Sequence, residues 1–156
     1  MSSNILNSPY LREFDVRDAG LLFEWQSHPE TRKYARNRET PDRKEHQRWV
    51  LNSLNSKTRH MYILLQGDNA VGMVRLDFGL HNKDTDAEVS ILIAPKHYRK
   101  GLGKWALNLV KRKFPKATYF AYIKSENTAS IKLFTSCGYI TYRENWYVLG
   151  KPNENS

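Results

Sequence analysis

The sequence predicts a mixed α/β fold in which helices flank one sheet. Apolar runs with strand spacing alternate with amphipathic runs of helical spacing, in an order that fits neither a Rossmann repeat nor an all-β protein. The chain has 156 residues, 40% of them hydrophobic, which is enough to bury a core. No repeat or low-complexity tract divides the chain, so we expect one domain over residues 1–156, ordered from about 9 to 150.

The first part of the chain predicts one strand and two helices. Tyr10–Val16 is typical of a short strand, and Asp18–His28 of a helix with one apolar face. The next helix begins near Thr40, because a capping threonine, a proline and an acid follow one another there. We expect it to bury four residues: His46, Trp49, Val50 and Leu54.

The remaining elements are three strands, a helix, a strand, a second helix and a last strand. A turn at residues 67–69 joins the first two strands as a hairpin. The expected ranges are Met61–Leu65, Ala70–Phe78, Asp86–Ala94, a helix after Gly101, Lys116–Ile123, a helix at Asn127–Cys137, and Tyr139–Leu149.

Charge and cysteine content restrict the partners. Lysine and arginine number 25 against 16 acidic residues, a formal net charge of +9, which favours polyanions such as nucleic acid, acidic protein or phosphorylated small molecules. No apolar run reaches the roughly 18 residues of a membrane span, so we expect no membrane partner. The single cysteine, Cys137, cannot form an internal disulfide, which favours a reducing cytoplasm.

The segment 89–107 carries the strongest functional signal. A β-branched apolar run ends at Pro95, a basic loop with Gly101 and Gly103 follows, and apolar residues then recur at helical spacing. A strand, a glycine loop and a helix together present bare N–H groups at a positive helix end. The segment therefore predicts a phosphate cradle.

Two motifs in this chain resemble the GNAT superfamily of acyl-CoA-dependent N-acyltransferases. The first is Ile91-x-Ile93-x-Pro95 followed by Gly101-x-Gly103, and the second runs from Asn127 to Tyr139. The resemblance extends from Tyr10 to about Leu149 and implies a mostly antiparallel sheet, acetyl-CoA as co-substrate and no metal. The residues that it implies for coenzyme binding are Ile91, Leu92, Ile93, Tyr98, Arg99, Lys100, Gly101, Leu102, Gly103, Lys104, Asn127 and Ser130.

The chain departs from the family pattern at two positions. Tyr98 stands where the family usually has glutamine or arginine, but the cradle consists mainly of backbone amides, and Arg99 and Lys100 supply charge. Phe134 stands where the family often has the tyrosine that protonates the leaving thiolate. The proton then comes from water or from another tyrosine, for which Tyr98, Tyr139 and Tyr142 are candidates.

The fourth strand carries the expected catalytic groups. The resemblance implies that Glu88 takes the amine proton, and Ser90 shares its face and is placed to hold the same water. Alternatively, Glu88 is a surface carboxylate paired with a lysine. A strand amide near Leu92 or Ile93 is the expected oxyanion donor. Asn127 either caps its helix or contacts the coenzyme, and we favour the coenzyme.

The first two helices suggest an acceptor. The spacing of Trp25, Glu30 and Arg32 resembles enzymes that acetylate nucleotide-linked amino sugars, including that of the pseudaminic acid pathway. Cations suit a diphosphate and aromatic rings suit uracil and sugar, so the expected substrate-binding residues are Trp25, Arg32, Tyr34 and Trp49. Alternatively, Trp25 packs its helix and the arginines are merely solvated.

Three other functions remain open. One is acetylation of protein N-termini, as in the ribosomal-protein acetyltransferases, and another is an inactive acyl-CoA sensor. The third is an RNA-binding module, against which stands the lack of an aromatic RNP-like strand. Nucleic acid is therefore not the expected partner, and the oligomeric state is left open, with a homo-oligomer as one alternative.

Overall fold

A mixed sheet organises the computed structural model, which describes residues 8–81 and 83–151. The 7-stranded sheet has the order β1-β2-β3-β4-β5-β7-β6, and every neighbouring pair is antiparallel except β4 and β5. The expectation of a mixed, mostly antiparallel sheet is confirmed. The strands are β1 (Tyr10–Glu13), β2 (Arg59–Gln66), β3 (Asn69–Phe78), β4 (Asp86–Ile93), β5 (Thr118–Tyr122), β6 (Ile140–Arg143) and β7 (Trp146–Leu149).

Helices cover both faces of this sheet, with a separate apolar core under each set. On one face Leu22 and Val50 pack against Ile63, and on the other Ala106 and Phe134 belong to the cluster that contains Val74. No helix within residues 8–81 and 83–151 has the length and hydropathy needed to cross a bilayer. The α-helices are α1 (Ala19–Ser27), α2 (Pro29–Arg32), α3 (Arg43–Leu54), α4 (Leu102–Lys113) and α5 (Thr128–Ser136); 3-10 turns lie at Val16–Asp18 and Pro95–His97.

The first strand ends earlier than the sequence predicts. Asp15 leaves the strand because its carboxylate accepts a hydrogen bond from the Arg17 amide (2.9 Å), while its own amide donates to Asp18 Oδ2 (2.8 Å). This reciprocal capping starts a 3-10 turn. Local capping therefore overrides the apolar pattern that extends to Val16.

The start of α3 and one of its buried residues were also predicted wrongly. Asp42 is the N-cap, and its Oδ2 accepts from the Glu45 amide (3.2 Å), so Thr40 and Pro41 precede the helix. His46 and Val50 are buried and Trp49 is half-buried, but Leu54 is 39% exposed. Ser53 is buried instead, because it faces Arg59 of β2.

The predicted last strand, Tyr139–Leu149, is a hairpin of two strands. Asn145 adopts a left-handed conformation (φ 64°) between β6 and β7, a conformation that asparagine tolerates better than most residues. Tyr139 precedes β6 and lies in the core. The turn has no Gly or Pro, so the sequence gives little sign of it.

A divergence between β4 and β5 positions the site. Their parallel pairing, among the described residues, covers only Asp86–Glu88 against Thr118–Phe120. On the other side β4 stays paired with β3 to its end, and the Ala94 amide bonds Val71 O (2.9 Å). Because alternate residues of an antiparallel strand face one neighbour, Ile91 and Ile93 direct their main-chain groups toward the divergence.

Candidate active site

The loop between β4 and α4 ends in an uncapped helix N-terminus. Gly101 is the N-cap residue in a left-handed conformation (φ 73°), and no side chain caps the helix. The first intrahelical bond runs from the Trp105 amide to Gly101 O (3.3 Å), which leaves the amides of residues 102–104 for another acceptor. Arg99 is also left-handed (φ 65°), an arrangement that costs a non-glycine residue free energy. The geometry is that of an anion cradle.

The two loop glycines have different structural roles. A Cβ at Gly101 would meet no atom within 4 Å, so this position needs glycine for its backbone conformation. A Cβ at Gly103 would lie 2.6 Å from Leu133 Cδ2, so that position needs glycine for the close contact between α4 and α5. Gly103 therefore contributes its amide to the cradle and its missing side chain to packing.

Cations surround the cradle, as the sequence predicts. Arg99, Lys100 and Lys104 are exposed, and Lys100 Nζ donates to His97 Nδ1 (3.1 Å). Desolvation, followed by the charges of Lys100 and Lys96, lowers the pKa of His97. The cradle and the free edge of β4 together fit an extended ligand with a pyrophosphate at one end, which is the shape of coenzyme A.

Glu88 is a buried carboxylate with two basic neighbours. It is 8% exposed, and Oε1 accepts a hydrogen bond from Arg36 Nη2 (2.7 Å). His81 Nε2 lies 3.7 Å from Oε2 and has no hydrogen-bond partner among the described residues. The alternative pairing with a lysine is not seen, since the partner is Arg36.

Aromatic rings surround these basic neighbours. The His81 ring stacks on Phe120 at 4.0 Å and meets the Trp146 edge at 5.2 Å. The guanidinium of Arg36 lies 4.2 Å from the Tyr122 ring centroid and 5.3 Å from that of Trp146. A carboxylate and two ring faces thus bind a cation beside the divergence of β4 and β5.

Ser90 and Trp49 belong to a neighbouring polar cluster. Arg75 Nη2 donates to Ser90 Oγ (3.4 Å), and the guanidinium carbons of Arg59 and Arg75 lie 5.4 and 5.6 Å from the Trp49 ring centroid. Desolvation lowers the pKa of Arg75, with Asp77 and Glu88 opposing it. Trp49 therefore lies beside predicted site residues.

Two predicted site residues lie in the core instead. Trp25 is 5% exposed and packs with Phe14, Leu22 and Val50, so its ring supports α1 and is not available to a substrate. Tyr139 is 4% exposed and meets Phe134 edge to face at 4.9 Å. Burial raises the pKa of Tyr139, which opposes ionisation of its hydroxyl. The predictions that Trp25 binds substrate and that Tyr139 donates a proton are therefore not supported, because both side chains pack in the core.

Arg32 ends α2, and Tyr34 lies in the segment 33–42, which connects α2 to α3. Arg32 Nη1 donates to the carbonyls of Asn37 (2.6 Å) and Glu39 (3.1 Å), and desolvation lowers the pKa of Arg32. Tyr34 is half-buried, with Lys33 Nζ 5.3 Å from its ring centroid. Arg32 thus holds the segment that carries Arg36, a positioning role in place of the predicted substrate contact.

Asn127 caps α5. Its Oδ1 accepts a hydrogen bond from the amide of Ser130 (3.2 Å), which is the alternative that the sequence left open. A cap through Oδ1 leaves the Nδ2 hydrogens for another acceptor, so a coenzyme contact through Nδ2 stays a prediction. Both residues are half-buried at the end of β5, on the α4 side of the sheet.

Sequence reasoning missed most of the acceptor side of the site. Alternation along β3 and β5 was a usable signal, since one face of each strand carries polar or aromatic residues. Arg36 belongs to the basic cluster of the first helices, from which a cation for the acceptor was expected, but no local signal marked the loop residue His81. The missed residues are Arg59, Arg75, Asp77, His81, Phe120, Tyr122 and Trp146. Within the described part of the chain, no three His, Cys, Asp or Glu side chains converge as a metal site would require.

Solved structures share this fold over almost their whole length. The aminoglycoside acetyltransferase AAC(6')-Ib in complex with coenzyme A superposes with a TM-score of 0.81 at 16% identity, covering 92% of this chain and 95% of that one. Spermidine N-acetyltransferase from Vibrio cholerae, in complex with CoA and spermine, gives 0.77 at 16% identity, with 90% and 92% covered. At these identities the likeness concerns the fold.

A domain from Methanocaldococcus jannaschii is more similar in sequence. It is 28% identical with a TM-score of 0.74, and the match covers 90% of this chain and 95% of that one. No curated protein sequence is significantly similar to the chain. The family model described as acetyltransferase (GNAT) domain matches residues 10–140. The chain therefore belongs to the GNAT acetyltransferase family.

Proposed function

We propose that the protein transfers the acetyl group of acetyl-CoA directly to a primary amine of a small molecule. One observation carries this proposal: the buried Glu88, the unpaired edge of β4 and the uncapped N-terminus of α4 follow one another along the chain. A phosphate binds at one end of this stretch and a cation at the other. Acetyl transfer from acetyl-CoA to an amine needs both a phosphate-binding site for the coenzyme and a cation-binding site for the acceptor.

The coenzyme lies along this stretch. The amides of residues 102–104 bind its pyrophosphate, and the main chain of Ile91 and Ile93 pairs with its pantetheine arm. The Ile93 amide is the better oxyanion donor of the two predicted at this point, because Ala94 and therefore Leu92 face β3. Tyr98, Arg99, Lys100 and Lys104 supply charge and surface at the cradle, and Asn127 and Ser130 complete the proposed coenzyme site.

Glu88 acts as the general base, with Ser90 holding the connecting water. The acceptor arrives as an ammonium and displaces the Arg36 guanidinium, whose side chain is 55% exposed and whose contacts are those an ammonium requires. Glu88 then takes the proton, and the neutral amine attacks the thioester carbonyl. A general base of this kind contributes a factor of about 10²–10⁴ in rate.

After the attack the nitrogen gives its second proton to water, and the leaving thiolate needs one proton. A free thiol has a pKa of about 8.5, so the thiolate leaves without a strong acid, and water suffices. Among the tyrosines, Tyr142 meets the Phe120 edge at 5.5 Å and Tyr122 lies 5.5 Å from Trp146, so both border the acceptor side. Tyr98 is 42% exposed at the cradle. These three are the remaining protein donors.

The acceptor we favour is an amino sugar linked to a nucleotide. Its support is the net charge of +9 and the arginines beside Glu88, both of which suit a diphosphate. Trp25 and Arg32 no longer support it, since packing and the 33–42 segment occupy them. The relatives named for aminoglycosides and spermidine point instead to polycationic amines.

Radiolabelled transfer separates these acceptors. The protein is incubated with [acetyl-¹⁴C]acetyl-CoA and, in parallel, with a UDP-4-amino sugar, spermidine, kanamycin or purified ribosomal proteins. We expect label in the sugar fraction. A Glu88→Gln variant is the matched negative control and should transfer much less label. If label is found only in the protein fraction, the acceptor is a protein N-terminus and not a nucleotide sugar. Absence of transfer to every amine, together with no binding of acetyl-CoA, would contradict the transferase proposal itself.

A further inference from the structure

We propose that Arg59 and Arg75 form a subsite for an anionic group of the acceptor, on the same face of the sheet as Glu88. This inference rests on the transferase activity proposed above. It goes further in requiring an acceptor that carries an anion as well as an amine.

One carboxylate holds the two guanidinium groups together. Asp77 Oδ1 accepts from Arg59 Nε (2.6 Å), and Oδ2 accepts from Arg75 Nε (3.0 Å). Asp77 therefore uses both oxygens on two cations and leaves the cluster with an excess of one positive charge. Glu88 does not remove this excess, because its own ion pair is with Arg36.

Both guanidiniums keep hydrogen-bond donors in reserve. Each has five N–H groups. Arg59 uses Nε and one hydrogen of Nη1, which donates to Ser53 Oγ (3.0 Å), and Arg75 uses Nε and a long contact to Ser90 Oγ (3.4 Å). The side chains are 26% and 25% exposed, so a ligand reaches them while much of the surrounding water is excluded. Charge-assisted hydrogen bonds are strong in such surroundings.

An open cavity adjoins Arg59 and Asp77, whereas Arg75, which donates to Asp77, is not among its lining residues. Its volume is about 220 Å³, several times the roughly 30 Å³ share of a water molecule, so it accommodates a carboxylate or a phosphate. Polar side chains of the α3–β2 turn contribute further donors to its wall. The lining residues are Trp49, Asn52, Ser53, Ser56, Thr58, Arg59, Asp77, Phe78 and Leu80.

The strand register sets the spacing between anion and amine. Arg59 pairs with Asp77, and Asp77 pairs with Glu88, so one row crosses β2, β3 and β4. Neighbouring strands are about 4.8 Å apart. The acceptor then carries its amine and its anion about 5–10 Å apart. Polyamines lack such an anion, whereas phosphorylated or carboxylated amines have one.

Titration calorimetry with inorganic pyrophosphate tests the subsite. The protein is first saturated with CoA, so that the cradle at α4 is occupied, and pyrophosphate is then titrated in a phosphate-free buffer. We expect a second binding event in the wild type and at least a tenfold weaker one in Arg59→Gln and in Arg75→Gln. Arg17→Gln is the matched control, because Arg17 is an exposed arginine paired with Asp15 far along the chain.

The CoA titration in each sample reports folding and separates the two proposals. The anion subsite is overturned if CoA binds normally but pyrophosphate does not bind, or if Arg59→Gln leaves pyrophosphate binding unchanged. Either result leaves the transferase proposal intact. Pyrophosphate binding that depends on Arg59 in a protein that fails to bind CoA contradicts the acetyl-CoA proposal and supports the subsite. Arg59→Gln keeps the test decisive if Arg75→Gln fails to fold.

Discussion

Glu88 shows how a single residue combines burial with charge. Its side chain is 11% exposed and is held by Arg36 on one oxygen and approached by His81 on the other. A carboxylate so deeply placed would be costly without those partners. In the proposed mechanism an acceptor ammonium replaces Arg36, so the buried carboxylate keeps a cation beside it until it takes the amine proton.

Replacing this carboxylate by an amide tests its role as a base. In Glu88→Gln, we expect kcat/KM for the acceptor to fall by about a hundredfold or more, because the amide cannot accept the amine proton. The loss is largest below neutral pH, where little acceptor is already deprotonated. The test measures the initial rate of transfer as a function of pH, from 6 to 9, with saturating acetyl-CoA.

The control for this substitution is Glu13→Gln on β1, an exposed carboxylate with the same change of charge. Its pH–rate profile should match the wild type. An unchanged profile in Glu88→Gln would reassign Glu88 to a structural ion pair with Arg36.

Gly103 shows at the same scale that a loop glycine serves packing. In Gly103→Ala the new methyl group would lie 2.6 Å from Leu133 Cδ2, the end of a flexible side chain, and alanine gains helix propensity, so we expect a net loss of about 1 kcal/mol in unfolding free energy. Urea denaturation measures it. Leu133→Ala added to Gly103→Ala should cost less than the sum of the single changes, because the overlap disappears.

Gly20→Ala in α1, where nothing lies within 4 Å, is the control and should be neutral or stabilising. Additive effects of the first pair would place the strain elsewhere.

At the scale of elements, the 33–42 segment connects otherwise separate parts of the site. Lys124 Nζ, beyond β5, donates to Ala35 O (2.6 Å), and Arg38 lies 3.6 Å from Glu126. Together with the Arg36–Glu88 pair, these contacts hold the segment over the divergence of β4 and β5. In the proposed mechanism the acceptor therefore displaces only the Arg36 side chain, and these other contacts of the segment remain.

The contact between α1 and α3 gives a pH-dependent stability. His46 is buried, its Nε2–H donates to Gln26 Oε1 (2.7 Å), and desolvation, with the Arg43 charge second, lowers its pKa from 6.5. The folded protein then binds fewer protons than the unfolded chain just below pH 6.5. Stability from His46 is full above that pH and falls as pH drops toward the folded-state pKa.

Urea unfolding between pH 5.0 and 7.5 measures this effect. His46→Gln should flatten the slope of unfolding free energy against pH by up to about 1.4 kcal/mol per pH unit. His97→Gln is the comparison, because desolvation also lowers the pKa of this half-buried side chain. An identical slope in His46→Gln and the wild type would show that His46 keeps its ordinary pKa.

Sequence patterns predicted the local structure of the proposed coenzyme side better than that of the proposed acceptor side. The strand, the glycine turn and α4 are consecutive, so residues 89–107 carry their own geometry in short-range signals. The acceptor side joins Arg36, His81 and Trp146, which lie far apart in sequence, and only tertiary packing brings them together. Packing also places Trp25 and Tyr139 in the core. The sequence around an aromatic residue is the same whether its ring faces a ligand or the core, so the sequence did not reveal this.

At the scale of the whole molecule, the sheet separates two tasks. β4 meets β5 over only three residue pairs and then diverges, so the sheet itself provides the cleft. The proposed coenzyme side is built from backbone amides and the proposed acceptor side from charged and aromatic side chains. Backbone donors suit an invariant cofactor, whereas side chains allow a change of acceptor without a change of fold.

Coenzyme binding should therefore stabilise the whole fold through its pyrophosphate. At about 100 times its Kd, CoA contributes about 2.7 kcal/mol, which for a chain of this size raises Tm by about 5–10 °C. Pantetheine, which lacks the pyrophosphate, should give a much smaller shift at equal concentration. Arg99→Gln combined with Lys100→Gln should reduce the CoA shift without abolishing it, because the amides of residues 102–104 remain. Lys111→Gln with Arg112→Gln, at the other end of α4, removes the same charge and should keep the full shift. Differential scanning fluorimetry measures these four shifts, and equal shifts with CoA and pantetheine would contradict the phosphate cradle.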